Sequence, residues 1–245
     1  MSTPPPRQLP LPLAAAPSSA RADLVADASN TAALSWVDNP GTWPLGRLAL
    51  FGPEGVGKTH ILRAIAEEHS WRWLDGASLD AAVALADPAP GIVLDDADRA
   101  PEDALFHLIN RCAEAGAKLV FAGRTPPARW PVQLPDLASR LRATQSAGIG
   151  APSDALLAAL LGKHLADRQL RVDPAVQSFL LARLPRDAAA VARAVARLDE
   201  AAMAQAAPIT RPFARGVLGL GEDRAENDLS ATGCEEASPG SGRMG

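Results

Sequence analysis

Cysteine is scarce in this 245-residue sequence, which contains only Cys112 and Cys234. Two cysteines at this separation form neither a disulfide framework nor a metal-binding pattern, so we expect a reducing, cytoplasmic location. Long apolar runs are also missing, and we therefore expect no membrane span. Pro10 and Pro12 interrupt the short apolar stretch near the N-terminus, which argues against a secretory signal.

A cluster of basic residues is absent as well. Residues 221–245 hold six acidic and two basic side chains and account for the whole net charge of -4. The remaining chain balances 22 basic against 22 acidic residues. Because neutralisation of phosphates supplies most non-specific affinity for nucleic acids, this balance argues against a dedicated duplex-binding domain.

Composition divides the chain into four regions. Residues 1–22 are rich in Pro, Ala and Ser and are predicted to form a disordered arm, and the acidic residues 221–245 are predicted to form a disordered tail. Between these regions, short apolar segments alternate with helical patterns up to about Gly150. The predicted strands are LALF, WRWL, GIVLDD and KLVFAG, and the predicted helices are Gly57 to His69, one within ASLDAAVALA, and Glu102 to Ala115.

Continuous apolar strands separated by helices are typical of a parallel sheet covered on both faces. Residues 23–150 are therefore predicted to form a three-layer α/β domain. After Pro152 only helical patterns follow, with Ser153 as a candidate cap and with Asp173 and Pro174 at the start of the next helix. Three helices in succession predict a small all-α domain over residues 151–220.

The segment from Gly52 to Thr59, GPEGVGKT, fits the P-loop pattern G-x-x-x-x-G-K-[ST] at every fixed position. Backbone amides of such a loop face phosphates at a helix N-terminus, while Lys58 offers a cation and Thr59 offers a hydroxyl to Mg²⁺. A purely structural Gly-rich turn is the alternative. The preceding strand and following helix favour the P-loop.

A second carboxylate motif occurs in GIVLDDADR, where an apolar strand ends at two aspartates. Asp95 is a candidate Mg²⁺ ligand and Asp96 a candidate to orient an attacking water. The alternative is a simple cap for a helix that starts at Ala97. The position after a second strand favours the nucleotide site.

Three segments, GPEGVGKTHILRAIA, GIVLDDADR and LPDLASRL, together resemble the nucleotide-binding core of DnaA-type AAA+ proteins, the bacterial replication initiators and their relatives. The resemblance extends over roughly residues 22 to 220. It implies a P-loop AAA+ domain with a parallel sheet, followed by an α-helical lid, and ADP or ATP with Mg²⁺ as cofactors. The implied nucleotide-binding residues are Asn30, Gly52, Pro53, Gly55, Val56, Gly57, Lys58, Thr59 and His60, and the implied Mg²⁺ ligands are Thr59 and Asp95.

The resemblance also implies that Arg140, in LASRL, is an arginine finger that reaches the nucleotide of a neighbouring subunit. A surface ion pair at a helix end is the alternative. Two positions depart from the family pattern. Ala122 replaces a polar residue at a strand end, and Ala189 replaces a phosphate-sensing arginine for which Arg186 or Arg193 is a possible substitute. We expect nucleotide binding with weak or no intrinsic hydrolysis.

The initiators carry a C-terminal helix-turn-helix domain that binds DNA, whereas this sequence continues only with the acidic tail. The difference favours the shorter Hda group, which regulates the initiator. QLPLPL in the arm resembles the motif by which such proteins bind the DNA polymerase III sliding clamp (β subunit), although it could be an ordinary Pro-rich linker. The implied clamp-binding residues are Gln8, Leu9, Leu11, Pro12 and Leu13.

The leading interpretation is a negative regulator of replication initiation that binds the clamp and promotes hydrolysis of the ATP bound to DnaA. Its expected partners are DnaA and the clamp, with DNA contacted only through the clamp and with a homodimer possible. One alternative is an AAA+ ATPase motor or helicase loader. Another is a clamp adaptor that holds ADP without hydrolysing it, which the changes at Ala122 and Ala189 favour.

Overall fold

The computed structural model describes residues 21, 24–88 and 90–220. The predicted arm with its clamp motif and the predicted acidic tail lie outside these residues. At the centre is a five-stranded sheet in the order β2-β3-β4-β1-β5. Its strands are β1 (Arg47–Phe51), β2 (Arg72–Asp75), β3 (Gly91–Asp95), β4 (Lys118–Gly123) and β5 (Gln145–Gly148).

All four strand pairings are parallel, as predicted. The C-terminal ends of the strands therefore meet along one side of the sheet, here called the carboxyl edge, and the N-terminal ends along the opposite amino edge. Five helices surround this sheet: α1 (Thr31–Val37), α2 (Lys58–His69), α3 (Ala81–Leu85), α4 (Glu102–Ala115) and α5 (Pro135–Arg142).

Each face of the sheet has its own core. On one face Leu48 and Leu50 of β1 pack with residues of α1 and α2 such as Leu34 and Leu62. On the other face Ala49 packs with residues of α3, α4 and α5. Successive strand residues point to opposite faces, so the continuous apolar strands supply both cores. The predicted three-layer α/β fold is confirmed.

The lid follows as four helices: α6 (Asp154–Asp167), α7 (Pro174–Arg183), α8 (Ala188–Gln205) and α9 (Arg211–Leu218). It has a separate apolar core that includes Leu161, Leu180 and Leu198. The Ser153 side chain caps α6 and the Asp173 side chain caps α7, with Pro174 at the first turn, as the sequence predicts. Within the described residues, no helix is long and apolar enough to cross a membrane.

Four elements were not anticipated from the pattern: α1, α5, β5 and α9. Strand β5 has the sequence QSAG, with only Ala147 buried, so it carries no apolar run. It exists because its backbone pairs with β1 at the edge of the sheet. Helix α9 packs its apolar side on the lid core and begins at Thr210, whose side chain accepts from the Phe213 amide.

Candidate nucleotide-binding site

The P-loop connects the carboxyl end of β1 to the first turn of α2. Gly55 has φ +83° and Gly57 has φ +101°, a region of backbone space that residues with a Cβ rarely adopt. Helix α2 begins after Gly57 without a side-chain cap. Its first amides are therefore directed at the loop, where an anion can accept them.

Lys58 is 8% exposed, and its Nζ donates to the carbonyl oxygens of Gly52 and Pro53 at 2.8 Å each. Burial lowers the pKa of Lys58, while the charges of Asp95, Asp96 and Asp98 oppose that shift. The loop thus holds a buried ammonium whose present partners are neutral carbonyls. A phosphate is a stronger acceptor for the same group.

Thr59 and Asp95 meet as the motif requires. The hydroxyl of Thr59 donates to Oδ2 of Asp95 at 2.7 Å, and Oδ1 of Asp95 accepts from the Asp96 amide at 3.0 Å. Asp95 ends β3, where it is 8% exposed. Hydroxyl and carboxylate oxygens suit Mg²⁺, which commonly takes few protein ligands and completes its shell with phosphates and waters. These two residues therefore fit the metal that the resemblance implies.

Asp96 lies beside this pair in a left-handed conformation, with φ +47°. Its carboxylate pairs with Arg99 at 3.2 Å, and both side chains are partly exposed. An exposed ion pair of this kind is weak. Because the Asp96 side chain is also partly exposed, its carboxylate remains accessible to a water. The role of Asp96 in orienting such a water stays a prediction.

The sequence interpretation missed Asp98. Its Oδ2 accepts from the Arg124 amide at 3.0 Å, whereas Oδ1 is buried without a hydrogen-bond partner among the described residues. Arg124 follows β4 and its guanidinium lies 3.9 Å from Glu54 of the P-loop. Asp98 therefore joins the loops after β3 and β4 beside the P-loop. The sequence feature that could have identified Asp98 as a site residue is its position three residues after Asp95.

The lid closes over the P-loop through the start of α8. A side chain at Gly55 would collide with the carboxylate of Asp187, so the two residues are in close contact. Asp187 caps α8 by accepting from the Ala189 amide and also pairs with Arg193 at 3.4 Å. Of the two possible substitutes for a phosphate-sensing arginine, Arg193 is thus linked to the P-loop through Asp187.

The other candidate, Arg186, pairs instead with Asp154 at 2.6 Å.

Ala122 is completely buried in the core between the sheet, α1 and α2. It therefore presents no polar group to the nucleotide. Val56 is partly buried against that same core.

Asn30 precedes α1, and His60 lies in the first turn of α2. The Asn30 side chain accepts from the Asp27 amide and donates to the Val25 carbonyl, so it shapes the segment before α1. Its contact with adenine stays a prediction. His60 on α2 is electrostatically coupled to His164 of the lid, whose pKa is lowered by burial first and then by Arg168 and other neighbours.

Arg140 occupies a different part of the domain. Helix α5 leads directly into β5, and β5 starts at the amino edge, so the C-terminal end of α5 lies at that edge. The P-loop lies at the carboxyl edge, one strand length away. For the five residues of β1 this is roughly 16 Å. Arg140 is partly exposed and has no ion-pair partner among the described residues.

Comparisons with known proteins agree with this geometry. Residues 154–218 match the family model described as "Hda, lid domain". Domain III of the Thermotoga maritima replication initiation protein DnaA superposes with a TM-score of 0.70 at 18% identity, covering 83% of this chain and 97% of that one. Replication initiator DnaA bound to AMPPCP and single-stranded DNA gives a TM-score of 0.60 at 16% identity, covering 78% and 69%.

The fold is shared beyond the initiators. The RuvB Holliday junction branch migration motor of Thermotoga maritima gives a TM-score of 0.55 at 16% identity, covering 71% of this chain and 61% of that one. The chain therefore shares its fold with proteins of different roles, whereas the family model matches its last helices, residues 154–218. Residues 154–218 thus match the lid domain of the Hda family, and the chain shares its fold with domain III of DnaA.

Proposed function

We propose that this protein is a negative regulator of replication initiation: it binds an adenine nucleotide in its own P-loop and promotes hydrolysis of the ATP held by DnaA. The observation that carries the proposal is the location of Arg140. This arginine lies across the sheet from its own P-loop and has no acidic partner among the described residues. A guanidinium so placed suits the phosphates of a neighbouring subunit.

Nucleotide binding by the chain itself is supported by Lys58, Thr59 and Asp95, which bring an ammonium, a hydroxyl and a carboxylate to one loop. A DnaA of the same fold has been solved with the ATP analogue AMPPCP. Mg²⁺, when bound with ADP or ATP, would neutralise phosphate charge there. The buried Ala122 lacks a polar group to assist hydrolysis, and we therefore expect weak or no turnover in this site.

The sliding clamp is the proposed second partner, through QLPLPL. Gln8 offers hydrogen bonds, Leu11 and Leu13 offer apolar anchors, and the prolines reduce the entropy lost on binding. Clamp binding would deliver the regulator to newly replicated DNA. Contact with DNA then requires no basic surface, in keeping with the balanced charge of residues 1–220.

The central experiment measures hydrolysis of ATP bound to purified DnaA in the presence of this protein and DNA-loaded clamp. Arg140→Ala is expected to reduce the stimulated rate about a thousandfold, the lower end of what arginine fingers contribute. Arg142→Ala changes an exposed arginine on the same helix and serves as the matched control. Equal stimulation by wild type and Arg140→Ala would refute the proposal.

Clamp binding is tested separately with a variant in which Gln8, Leu11 and Leu13 are changed to alanine. The intact protein should bind the clamp with a dissociation constant of about 1 μM or tighter, equivalent to about -8 kcal/mol, and the variant should not bind. If the intact protein fails to bind, the clamp has no place in the function. The Arg140 experiment without clamp then decides whether regulation of DnaA survives.

A second candidate function is a clamp adaptor that keeps ADP as a structural element. The absence of a polar side chain at Ala122 favours it. An adaptor of this type would leave hydrolysis by DnaA unchanged at every concentration tested.

A motor or helicase loader would instead hydrolyse ATP in the absence of other proteins. Its turnover would be faster than about 1 per second, the lower end of usual enzyme turnover.

A further inference from the structure

Arg47, the first residue of β1, is buried and forms no ion pair with the described residues. The residue is 4% exposed, and its Nε is buried without a hydrogen-bond partner in the part of the chain that the structure describes. Buried charges in proteins are normally paired, because an unpaired guanidinium loses its hydration without compensation. The arrangement therefore costs stability and calls for a functional explanation.

Arg47 belongs to the face of β1 that α4 and α5 cover. Side chains two residues apart on a strand point to the same face of the sheet, so Arg47 and Ala49 share a face. Ala49 packs in the core beneath α4 and α5. Arg47 is electrostatically coupled to Arg140 of α5 and to Cys112 of α4. Burial lowers the pKa of Arg47 most, and the positive charge of Arg140 lowers it further.

Cys112 supplies no negative charge to balance this pair. It is 1% exposed, and burial raises the pKa of its thiol to about 12. The thiol is consequently neutral at physiological pH. The positive charges of Arg47 and Arg140 therefore interact without compensation from Cys112.

Phe106 of α4 supports Arg140 from a second direction. The Cζ atom of Arg140 lies 5.3 Å from the centroid of the Phe106 ring, a cation–π contact. Nε of Arg140 is buried and has no acceptor among the described residues. The guanidinium is therefore held by an aromatic face and not by hydrogen bonds or a carboxylate, which leaves its polar donors for an external anion.

We propose that Arg47 and Phe106 are positioning residues for Arg140: Phe106 supports the guanidinium, and the buried charge of Arg47 repels it from the interior. The repulsion disfavours an inward rotamer of Arg140 and adds positive potential where a phosphate arrives. This inference rests on the proposed function, because the anion in question is the phosphate of DnaA-bound ATP. Neither residue touches that nucleotide itself.

The proposal separates stability from activity. Met has nearly the length of an arginine stem and no charge, so Arg47→Met should match or exceed the thermal unfolding midpoint of the wild type. A residue with only a structural role would change activity in step with stability. Here Arg47→Met is expected to lower the maximal rate of stimulated hydrolysis between about tenfold and hundredfold, since misplaced catalytic groups lose that much.

The test measures hydrolysis of DnaA-bound ATP against increasing concentrations of this protein, together with each variant's unfolding midpoint. Arg47→Met and Phe106→Leu should lower the maximal rate but leave the half-saturating concentration unchanged. Phe106→Trp, which keeps an aromatic face, should retain at least about half of the wild-type rate.

The outcomes are distinguishable. If Arg140→Ala loses stimulation while Arg47→Met and Phe106→Leu keep the wild-type maximal rate, the positioning proposal is wrong and the proposed function stands. If Arg140→Ala keeps full stimulation, both are overturned. A loss in Phe106→Leu that Phe106→Trp does not restore would also contradict the aromatic support.

Discussion

Lys58 stabilises the P-loop in the structure and is the residue that we propose to bind phosphate. In the structure its ammonium donates to the Gly52 and Pro53 carbonyls of its own loop. We predict that Lys58→Ala weakens ADP and ATP binding at least about tenfold, because a hydrogen bond to a charged group contributes about 1.5–3 kcal/mol. Titration with a fluorescent ADP analogue measures the change.

Lys163→Ala is the control for that variant. Lys163 pairs with Asp167 on α6 and is not part of the P-loop, so its removal should leave nucleotide affinity unchanged. Unaltered affinity in Lys58→Ala would mean that the loop does not hold phosphate through this lysine. The P-loop interpretation would then lose its main chemical support.

Gly55 is constrained twice, by a φ of +83° and by the carboxylate of Asp187. Gly55→Ala is expected to destabilise the protein by about 1–3 kcal/mol, measured by urea unfolding, because a Cβ strains the backbone and collides with Asp187. The matched control is Gly162→Ala, where a Cβ meets nothing within 4 Å in the middle of α6. That change should stabilise by about 0.5–1 kcal/mol.

A second variant separates the two constraints at Gly55. Gly55→Ala combined with Asp187→Ala removes the collision but keeps the positive φ. The double variant should therefore recover part of the lost stability relative to the sum of the single changes. If the stability changes of Gly55→Ala and Asp187→Ala simply add, Asp187 does not collide with a side chain at position 55.

At the scale of elements, the start of α6 ties the lid to the segment before α1. The Ser153 hydroxyl donates to Asp27 at 2.6 Å and its oxygen accepts from the Leu156 amide at 3.1 Å. Hydrogen bonds from Ser153 and then from Ser29 hold the pKa of Asp27 well below its usual value of 3.8. A carboxyl group whose pKa is lower in the folded than in the unfolded protein stabilises the fold at pH values above its unfolded-state pKa. This stabilisation is lost as the pH falls toward the folded-state pKa.

Ser153→Ala is accordingly predicted to have a pH-dependent cost. At pH 7 the lost helix cap alone should destabilise the protein by about 1 kcal/mol, and the weaker Asp27 interaction adds to this. Below pH 3.8, the usual pKa of Asp, the share of this destabilisation that comes from Asp27 should decrease, whereas the share that comes from the lost cap should remain. Urea unfolding at pH 7 and near pH 3 measures both parts.

The double variant Asp27→Asn with Ser153→Ala provides the control. With no titrating group at position 27, the cost of Ser153→Ala should be the same at both pH values. A pH-dependent cost in this background would assign the effect to another carboxylate.

The same elements show what a sequence can predict. Helices α2 and α4 and the first three lid helices follow from apolar periodicity and local caps, because those signals are encoded in neighbouring residues. Strand β5 did not follow, because its formation depends on pairing with β1 and not on its own composition. The role of Asp98 depends on the Arg124 amide, 26 residues away, and no local pattern records such a contact.

Site residues divide in the same way. Lys58, Thr59 and Asp95 are recognisable from motifs, since their chemistry fixes their spacing. Arg140 was identified only through resemblance to a family. Arg47 and Phe106 carry no sequence signal, because their relation to Arg140 arises from the packing of β1, α4 and α5.

At the scale of the whole molecule, the parallel sheet separates the P-loop from Arg140. The P-loop lies at the carboxyl edge and Arg140 at the amino edge, with the sheet core of residues such as Phe121 and Leu119 between them. A rigid, close-packed layer of this kind keeps the two positions at a fixed separation. In the proposed function, the carboxyl edge binds the chain's own nucleotide and Arg140 at the amino edge acts on the ATP of DnaA.

This separation predicts that Arg140→Ala leaves the affinity for the chain's own nucleotide unchanged, within about twofold. At roughly 16 Å across the sheet, beyond a Debye length of about 8 Å at physiological salt, the guanidinium contributes little to the P-loop. Lys58→Ala should show the reverse pattern in the binding titration. If Arg140→Ala weakened nucleotide binding as strongly as Lys58→Ala, Arg140 would belong to a site completed by a second copy of this chain, and the homodimer would become the functional unit.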